Sequence, residues 1–172
     1  SGLDVCRQIR MESMVPIIIL TAKGEETDRL LGFALGADDY IVKPFSPREI
    51  VSRIRVIFRR LNTLETAPDA GTLALGNTEI NIQNYEVTVL GEKVLFSPKE
   101  VEILYLMAGH PHQVFTREQL LDSIWGFDFD GDDRVVDTSI KRIRKKLPAE
   151  STLQLKSVYG VGYKAERTDD PV

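Results

Sequence analysis

A run of basic residues between positions 134 and 146 is the part of this sequence whose side chains most directly suggest chemistry. The run holds six bases and one acid, although the whole 172-residue chain carries a net charge of −4. The bases are Arg134, Lys141, Arg142, Arg144, Lys145 and Lys146. Clustered cationic side chains bind phosphate oxygens, and a basic stripe on an acidic protein indicates a localised binding surface. A solvated basic helix face is the alternative that charge alone leaves open.

The apolar residues of the same segment predict a helix over residues 134–147 whose basic side faces outward. Four of them recur at the spacing of one helical face: Val136, Ile140, Ile143 and Leu147. The polar residues expected to project outward are Asp137, Ser139, Lys141, Arg142, Lys145 and Lys146. Residues 153–158 and 163–165 flank Gly160 and Gly162, which predicts a hairpin directly afterwards. A helix followed by such a hairpin is typical of the winged-helix variant of helix-turn-helix, whose helix enters the major groove of double-stranded DNA.

The elements that must hold this helix lie between residues 73 and 133. Strand-forming residues at 73–81 and 85–90 predict a short antiparallel sheet. Two helices should follow, because Ser97-Pro98-Lys99-Glu100 is a capping-box sequence and Thr116 is a good N-cap. Residues 62–72 include Pro68 and Gly71 and have no sustained periodicity, so we place a linker there. The sequence therefore predicts an α+β domain over residues 73–172.

The first 61 residues follow a different pattern, in which helices and strands alternate. We predict a short helix around Cys6, a buried strand at 15–21, a helix at 25–36, a strand at 40–42 and a helix from Ser46 to Arg60. Such alternation is typical of an α/β domain with a parallel sheet. Two parallel strands cannot close a doubly wound sheet, so we expect this half to be a remnant or to be completed by something else.

Composition also excludes several classes of protein. No apolar run approaches the length of a membrane span and the first residues do not resemble a secretory signal, so we expect a cytoplasmic protein without a membrane partner. A single cysteine, Cys6, cannot form an internal disulfide, and we expect it to be buried. His110 and His112 lie far from Cys6 and make a poor metal cluster. No set of Ser, His and acid suggests hydrolysis, so an enzyme is the least favoured class.

The motifs of the second half resemble those of the OmpR/PhoB-type response regulators. Residues 134–145 are similar to the recognition helix of that family, and Val158, Gly160, Gly162 and Tyr163 to its wing. The resemblance implies base-edge contacts by Ser139, Arg142 and Lys146, and phosphate contacts by Arg117, Arg134, Lys141, Arg144, Lys145 and Ser157. The family often has a basic residue in the wing where this sequence has Tyr159, so a minor-groove contact there is in question. Residues 128–133 form an acidic loop that, by the same resemblance, can touch RNA polymerase.

The first half resembles the second part of the receiver domain of the same family, which has a flavodoxin-like fold. Thr21 and Lys43 look like its switch threonine and phosphate-contacting lysine, and Tyr40 stands in the place of its aromatic switch. The Lys43–Pro44 bond is expected to be cis. The phosphate-accepting aspartate and the Mg²⁺-binding acids of a receiver would precede Ser1. We therefore expect no phosphate uptake and no Mg²⁺ cofactor in the sequence as given, although a sensor histidine kinase would act on the full-length form.

By the same resemblance, one receiver function could survive, namely formation of a homodimer. The family's dimer face would contain the helix at 25–36, the strand at 40–42 and the helix at 46–60. The residues expected to form ion pairs across it are Arg29, Asp38, Asp39, Glu49, Arg53 and Arg55. The sequence thus predicts a sequence-specific DNA-binding transcription regulator of a phosphorelay two-component system. A dimerisation or protein-interaction module that acts without DNA is the alternative.

Overall fold

The structure, a computed structural model, describes residues 2–13, 15–22, 32, 35–62, 71–126, 129 and 132–168, with the backbone alone for residues 56–62. The helices are α1 (Gly2–Glu12), α2 (Pro47–Asn62), α3 (Pro98–Ala108), α4 (Arg117–Trp125) and α5 (Arg134–Lys146). The strands are β1 (Ile18–Thr21), β2 (Asp39–Val42), β3 (Thr72–Leu75), β4 (Thr78–Asn81), β5 (Glu86–Val89), β6 (Glu92–Val94), β7 (Phe115–Thr116), β8 (Leu153–Val158) and β9 (Gly162–Arg167). Below, the first half means residues up to Asn62 and the second half those from Gly71 onward.

In the first half, β1 and β2 form the predicted parallel pair, with Ile18 opposite Asp39 and Thr21 opposite Val42. The strand β1 begins later than predicted, and its side chains are half-buried or, at Leu20, exposed. The prediction of a strand buried on both faces was therefore wrong. Full burial in a parallel sheet needs cover on both faces, and the two described strands form only a small sheet. Cys6 is buried as predicted.

The helix predicted at residues 25–36 lies outside the described residues, except for positions 32, 35 and 36. The predicted helix after Ser46 is confirmed as α2. It begins with Pro47 at its first position, and the Glu49 backbone N–H donates to the Ser46 hydroxyl at 3.3 Å. The proposed linker over residues 62–72 lies mostly outside the described part of the chain. The Lys43–Pro44 peptide bond is cis, as the family resemblance implied.

A buried ion pair that the sequence analysis missed holds α1 to the sheet. The Arg10 guanidinium donates to Asp38 Oδ2 at 2.9 Å and to the Gly36 carbonyl oxygen at 2.8 and 3.0 Å. The same carboxylate oxygen accepts the Ile17 backbone N–H at 2.7 Å. Arginine satisfies several buried acceptors at once because its donors form a rigid fork. Arg10 therefore fixes the loop that leads into β2.

The second half begins with an antiparallel sheet in the order β3-β4-β5-β6. The strand-forming segment 73–81 is a hairpin that turns at Gly76 and Asn77. Gly76 has a φ of 63°, a conformation that glycine adopts without strain. The strand β6 was not predicted at all. The expected short antiparallel sheet is thus confirmed, but with more strands than the pattern indicated.

Three helices follow this sheet, the first two where the capping sequences predicted them and the third where the apolar stripe predicted it. The Thr116 hydroxyl accepts the Gln119 backbone N–H and the Gln119 side chain accepts the Thr116 N–H, so α4 has a complete capping box. At the start of α3, the Ser97 backbone N–H donates to Glu100 Oε2 at 2.7 Å. The helices bury an apolar core whose members include Val101, Leu104, Met107, Leu120, Ile124, Ile140 and Ile143.

A second sheet in the order β7-β9-β8 closes this half. The predicted hairpin is confirmed as β8 and β9, which pair from Leu153 opposite Arg167 to Val158 opposite Gly162. The short strand β7 pairs with β9 and runs directly into α4. We call the β8–β9 hairpin with its tip at residues 159–161 the wing.

The two halves share apolar contacts. Tyr40 of β2 is buried in the same hydrophobic cluster as the core of the second half, and Ile19 and Val42 pack against that cluster. The first half therefore lies against the helices of the second. Among the residues described, no helix combines the length and the apolar character that crossing a bilayer requires.

Candidate nucleic-acid interface

The helix α5 is fixed by its apolar face, as the sequence predicted. Val135, Val136, Ile140 and Ile143 are buried beneath it, and Leu147 is half-buried at its end. Burying a branched apolar side chain contributes about 1.5–3 kcal/mol, so this stripe decides which side of the helix faces solvent. The basic residues Lys141, Arg144 and Lys145 are exposed, and Arg134 is exposed at the start of the helix.

Arg142 and Lys146 do not project freely outward, contrary to expectation. Both meet Glu100, whose side chain is 2% exposed. Lys146 Nζ donates to Glu100 Oε2 at 2.6 Å, and Arg142 Nε lies 3.3 Å from Glu100 Oε1. Burial lowers the pKa of Lys146, although the Glu100 carboxylate opposes this. The reason for the difference is a long-range contact, because the capping residue of α3 lies under α5 and attracts the two cations.

Arg142 also lies at the contact between the halves. A Cβ placed on Gly36 would come within 3.0 Å of an Arg142 guanidinium nitrogen. Arg142 is therefore half-buried between Glu100 and the loop that Arg10 fixes. In this arrangement the residue that we expected to reach a base edge has protein on two sides.

Ser139 and Asp137 were also expected to face outward, and both are half-buried. The Ser139 hydroxyl donates to the Val135 carbonyl oxygen at 2.8 Å, one turn back along the helix. Such local bonds are common for serine in helices. Asp137 accepts a bond from Arg117 Nε at 2.7 Å, which links α5 to α4. The hydrogen bond to Asp137 raises the pKa of Arg117.

The wing is joined to α5 by Arg144. Its Nε donates to the Leu155 carbonyl oxygen and a terminal nitrogen donates to the Ser157 hydroxyl, both at 2.9 Å. Two residues predicted to contact phosphate, Arg144 and Ser157, are therefore brought together on the exposed side of the molecule. Tyr159, at the tip of the wing, is fully exposed, with a relative exposure of 102%.

Tyr163 and Glu100 are the two site residues whose roles the sequence analysis missed. The Tyr163 ring, on β9, is buried next to Arg117 and Arg144, and its hydroxyl donates to Asp137. Burial raises the pKa of Tyr163, which keeps the hydroxyl protonated as a donor. Both residues belonged to motifs that the sequence analysis recognised, Glu100 to the capping box of α3 and Tyr163 to the wing. Their charged partners lie far away in sequence, so no local pattern revealed them.

The residues predicted as a receiver switch lie together at the ends of β1 and β2. Thr21 is opposite Val42, and the Lys43 backbone N–H donates to the Thr21 carbonyl oxygen at 2.6 Å. The Lys43 side chain is exposed. Tyr40 is buried, and a Cβ on Gly32 would come within 3.0 Å of its ring. The carboxyl ends of parallel strands are where such folds bind ligands.

The predicted dimer residues form ion pairs within the chain. Arg53 meets Asp39 and Glu49, each at 3.1 Å. Asp38 does not belong to this surface, because its side chain is buried against Arg10, and the prediction for this residue was wrong. Arg55 is exposed, whereas Arg29 lies outside the described residues. Exposed apolar side chains on α2 do accompany the charges, at Val51 (46% exposed) and Ile54 (38%).

The second half thus has the architecture of a winged-helix DNA-binding domain, with an anchored basic helix followed by a hairpin. Comparison with known proteins agrees with this class. Residues 91–165 match the family described as "Transcriptional regulatory protein, C terminal", and residues 1–55 match the response regulator receiver domain.

The chain is similar along almost its whole length to curated regulators. It is 48% identical to YclJ of Bacillus subtilis, an uncharacterized transcriptional regulatory protein, over 95% of this chain and 73% of that protein. It is 45% identical to the transcriptional regulatory protein ResD of Bacillus subtilis, over 96% of this chain and 72% of that protein. The chain therefore belongs to the OmpR/PhoB-type response regulators, which are DNA-binding transcription regulators of two-component systems.

Solved structures give the same result. A mutant of RitR superposes with a TM-score of 0.71 at 26% identity, over 96% of this chain and 73% of that chain. The DNA-binding domain of CpxR from E. coli superposes with a TM-score of 0.50 at 28% identity, over 56% of this chain and 96% of that domain. The family is one of transcription regulators and not an enzyme class. That the sequence holds only the second half of a receiver stays a prediction.

Proposed function

We propose that this chain recognises a specific DNA sequence by inserting α5 into the major groove while the wing lies against the adjacent backbone. The observation that carries the proposal is the placement of Lys141 and Lys145, which are exposed on a helix anchored by Ile140 and Ile143 and followed by a wing. Cations at such positions release counterions from the duplex when they meet its phosphates.

Within this surface, we assign phosphate contacts to five basic residues and Ser157, and base contacts to three half-buried residues of α5. The phosphate set is Arg117, Arg134, Lys141, Arg144, Lys145 and Ser157. The base-edge set is Ser139, Arg142 and Lys146. To reach a base, Arg142 and Lys146 must exchange the Glu100 carboxylate for the duplex. A bidentate arginine contact to guanine supplies about 1–3 kcal/mol of discrimination. This is similar to the net contribution of about 1.5–3 kcal/mol from a hydrogen bond to a charged group within a protein.

The test compares Arg142→Ala with Lys141→Ala on a duplex recovered by binding-site selection. We expect Arg142→Ala to lose about 1–3 kcal/mol of preference for that duplex over a scrambled one. Lys141→Ala should weaken both duplexes alike and reduce the slope of log K against log salt by about one. If both variants bind like the parent, α5 is not the reading element.

We also propose that a complete receiver controls this activity. Thr21 and Lys43 would then supply a hydroxyl and a cation to an aspartyl phosphate placed there by a sensor histidine kinase. Among the described residues, no group of three or more His, Cys, Asp or Glu side chains is placed to hold a metal ion. We expect no acyl phosphate on this sequence after incubation with acetyl phosphate and Mg²⁺, as measured by intact mass. A gain of one phosphoryl group would overturn that expectation.

A homodimer is the assembly that we propose for the cytoplasmic regulator, with α2 at its centre. Val51 and Ile54 leave an apolar surface beside the Arg53 ion pairs, and charges around an apolar centre set the register of an interface. The acidic segment at 128–133 is proposed as a contact for RNA polymerase. The same exposed surface supports the second candidate, an interaction module that acts without DNA. Loss of duplex binding in Lys141→Ala with unchanged self-association would separate the two functions.

A further inference from the structure

We propose that Tyr163 is a positioning residue for DNA binding, which holds the guanidinium groups of Arg117 and Arg144 in place for phosphate contact. The inference rests on the proposed function, since it assumes that these two arginines meet the duplex. The juxtaposition that carries it is one buried aromatic ring from the wing lying beside two arginines from two different helices.

The two arginines lie at similar distances from the ring. The guanidinium carbon of Arg117, at the start of α4, is 5.3 Å from the Tyr163 ring centroid. That of Arg144, near the end of α5, is 5.6 Å from the same centroid. A cation within about 6 Å of an aromatic centroid is attracted by the ring quadrupole. One side chain thus connects both helices of the helix-turn-helix with the wing.

The Tyr163 hydroxyl adds direction to this arrangement. It donates to Asp137 Oδ1, which also accepts a bond from Arg117 Nε, and Arg117 in turn lies 3.5 Å from the hydroxyl oxygen. On the other side, Arg144 is held by the Leu155 carbonyl and the Ser157 hydroxyl. A guanidinium has five N–H donors, so the two bonds found for each arginine do not exhaust it. Two cations and one carboxylate also leave this cluster with a net positive charge, which attracts a phosphate.

Holding the arginines in advance matters because a long side chain loses rotamer freedom when it binds. That loss costs about 0.5–1.5 kcal/mol for each flexible side chain fixed at an interface. An arginine that is already stacked and bonded incurs less of this cost when DNA arrives. A tyrosine needed only to fill the core would not require two cations beside its ring. The position of Tyr163 therefore favours a role in the affinity for DNA over a role in stability alone.

The first test measures binding of the full chain to a fluorescently labelled duplex of arbitrary sequence across a salt series. We expect Tyr163→Leu to bind about tenfold more weakly, because this substitution removes the ring that attracts both guanidinium groups. Its slope of log K against log salt should also become shallower by about one for each phosphate that the variant no longer neutralises. Tyr163→Phe keeps the ring and should retain most of the slope. Unfolding curves of both variants separate these effects from loss of the fold.

The second test leaves Tyr163 in place. Arg117→Lys and Arg144→Lys keep the charge but lose the planar fork that stacks on the ring. We expect each to weaken duplex binding about as much as the matching alanine variant. Arg7→Lys, at an exposed position on α1 outside the proposed DNA surface, is the matched control and should bind like the parent. These variants decide the proposal if Tyr163→Leu fails to fold.

Several outcomes would overturn the inference. Lysine variants at 117 and 144 that bind with the parent's affinity and slope would show that charge alone is needed. A folded Tyr163→Leu variant with an unchanged slope would show that the ring positions nothing. A parent chain that binds no duplex at low salt would instead overturn the proposed function and this inference with it.

Discussion

Asp38 is a buried carboxylate whose ionisation should affect the stability of the first half. It meets Arg10 at 2.9 Å and the Ile17 backbone N–H at 2.7 Å, and among the described atoms its Oδ1 finds no hydrogen-bond partner. Burial raises the pKa of Asp38 to about 6, because the loss of solvation outweighs the attraction of Arg10. The folded chain therefore takes up a proton here at a higher pH than the unfolded chain does.

This difference predicts a pH-dependent stability. Between about pH 4 and pH 6 the folded state binds more protons at Asp38, so the free energy of unfolding should fall as pH rises through that window. The stabilisation from protonated Asp38 is complete below about pH 4 and is lost above about pH 6. It amounts to at most about 3 kcal/mol. Denaturant unfolding at several pH values measures it. Asp38→Asn should remove this contribution to the pH dependence, whereas Glu12→Gln, an exposed change on α1, should leave it. A pH dependence that is the same in Asp38→Asn and in the parent would contradict the assignment.

Glu100 holds two cations of α5, so removing its charge should change both stability and DNA binding. Glu100→Gln keeps the length of the capping side chain while Lys146 and Arg142 lose their carboxylate partner. We expect the free energy of unfolding to fall by about 2 kcal/mol. Binding to a duplex of arbitrary sequence should become tighter and more dependent on salt, because the charges of two cations are no longer neutralised by a carboxylate and attract the polyanion more strongly.

The control for this variant is Glu79→Gln, which changes the net charge equally at an exposed position on β4. It should leave stability and duplex binding close to those of the parent. Equal effects of the two substitutions on duplex binding would mean that overall charge, and not the release of Arg142 and Lys146, is responsible.

At the scale of elements, the sequence predicted those parts of the fold that depend on neighbouring residues. The helices α3, α4 and α5 follow from capping residues and from apolar positions one turn apart, and the wing follows from Gly160 and Gly162. The sequence did not give the bounds of the two strands within 73–81, because each run of strand-forming residues beside Gly76 is too short to show its own pattern. The small strand β7 exists because β9 pairs with it. The local sequence around Phe115 does not predict a pairing with a strand so far away in the chain.

The same distinction applies to the candidate site. Which face of α5 is buried could be predicted, because the apolar stripe sets it. That Arg142 and Lys146 turn toward Glu100 could not, because the acid lies on another helix. Burial of Asp38 likewise depends on Arg10, which is 28 positions away in sequence. Long-range charge pairs leave no periodic trace in a single sequence.

Because β7 packs closely against β9, position 162 of the wing has no room for a side chain. A Cβ at this residue would overlap the Phe115 carbonyl oxygen, which belongs to backbone and cannot easily give way. We expect Gly162→Ala to lower the free energy of unfolding by about 3 kcal/mol and to weaken DNA binding by displacing the wing. Gly160→Ala is the control, since nothing lies within 4 Å and only its φ of 71° opposes the change, at a cost of about 1 kcal/mol. Chemical denaturation of both variants measures the difference, and equal stability would contradict the steric argument.

At the scale of the whole molecule, the exposed side of α2 predicts self-association. We expect sedimentation velocity at micromolar concentration to show a dimer for the parent and a monomer for Ile54→Glu, because a buried unpaired carboxylate opposes association. Leu90→Glu is the matched control, since it places the same charge on an exposed apolar position of the second half and should leave the dimer intact. A parent that sediments as a monomer would contradict the proposed dimer.

Thr116 ends β7 and caps α4, so no spacer separates the support of the wing from the helix that carries Arg117. One residue inserted at this junction would rotate everything after it by about 100° around the helix axis. Arg117 would then leave the Tyr163 ring, even with every side chain unchanged. We therefore expect natural variants that keep the fold to vary at this junction by substitution and hardly ever by insertion or deletion.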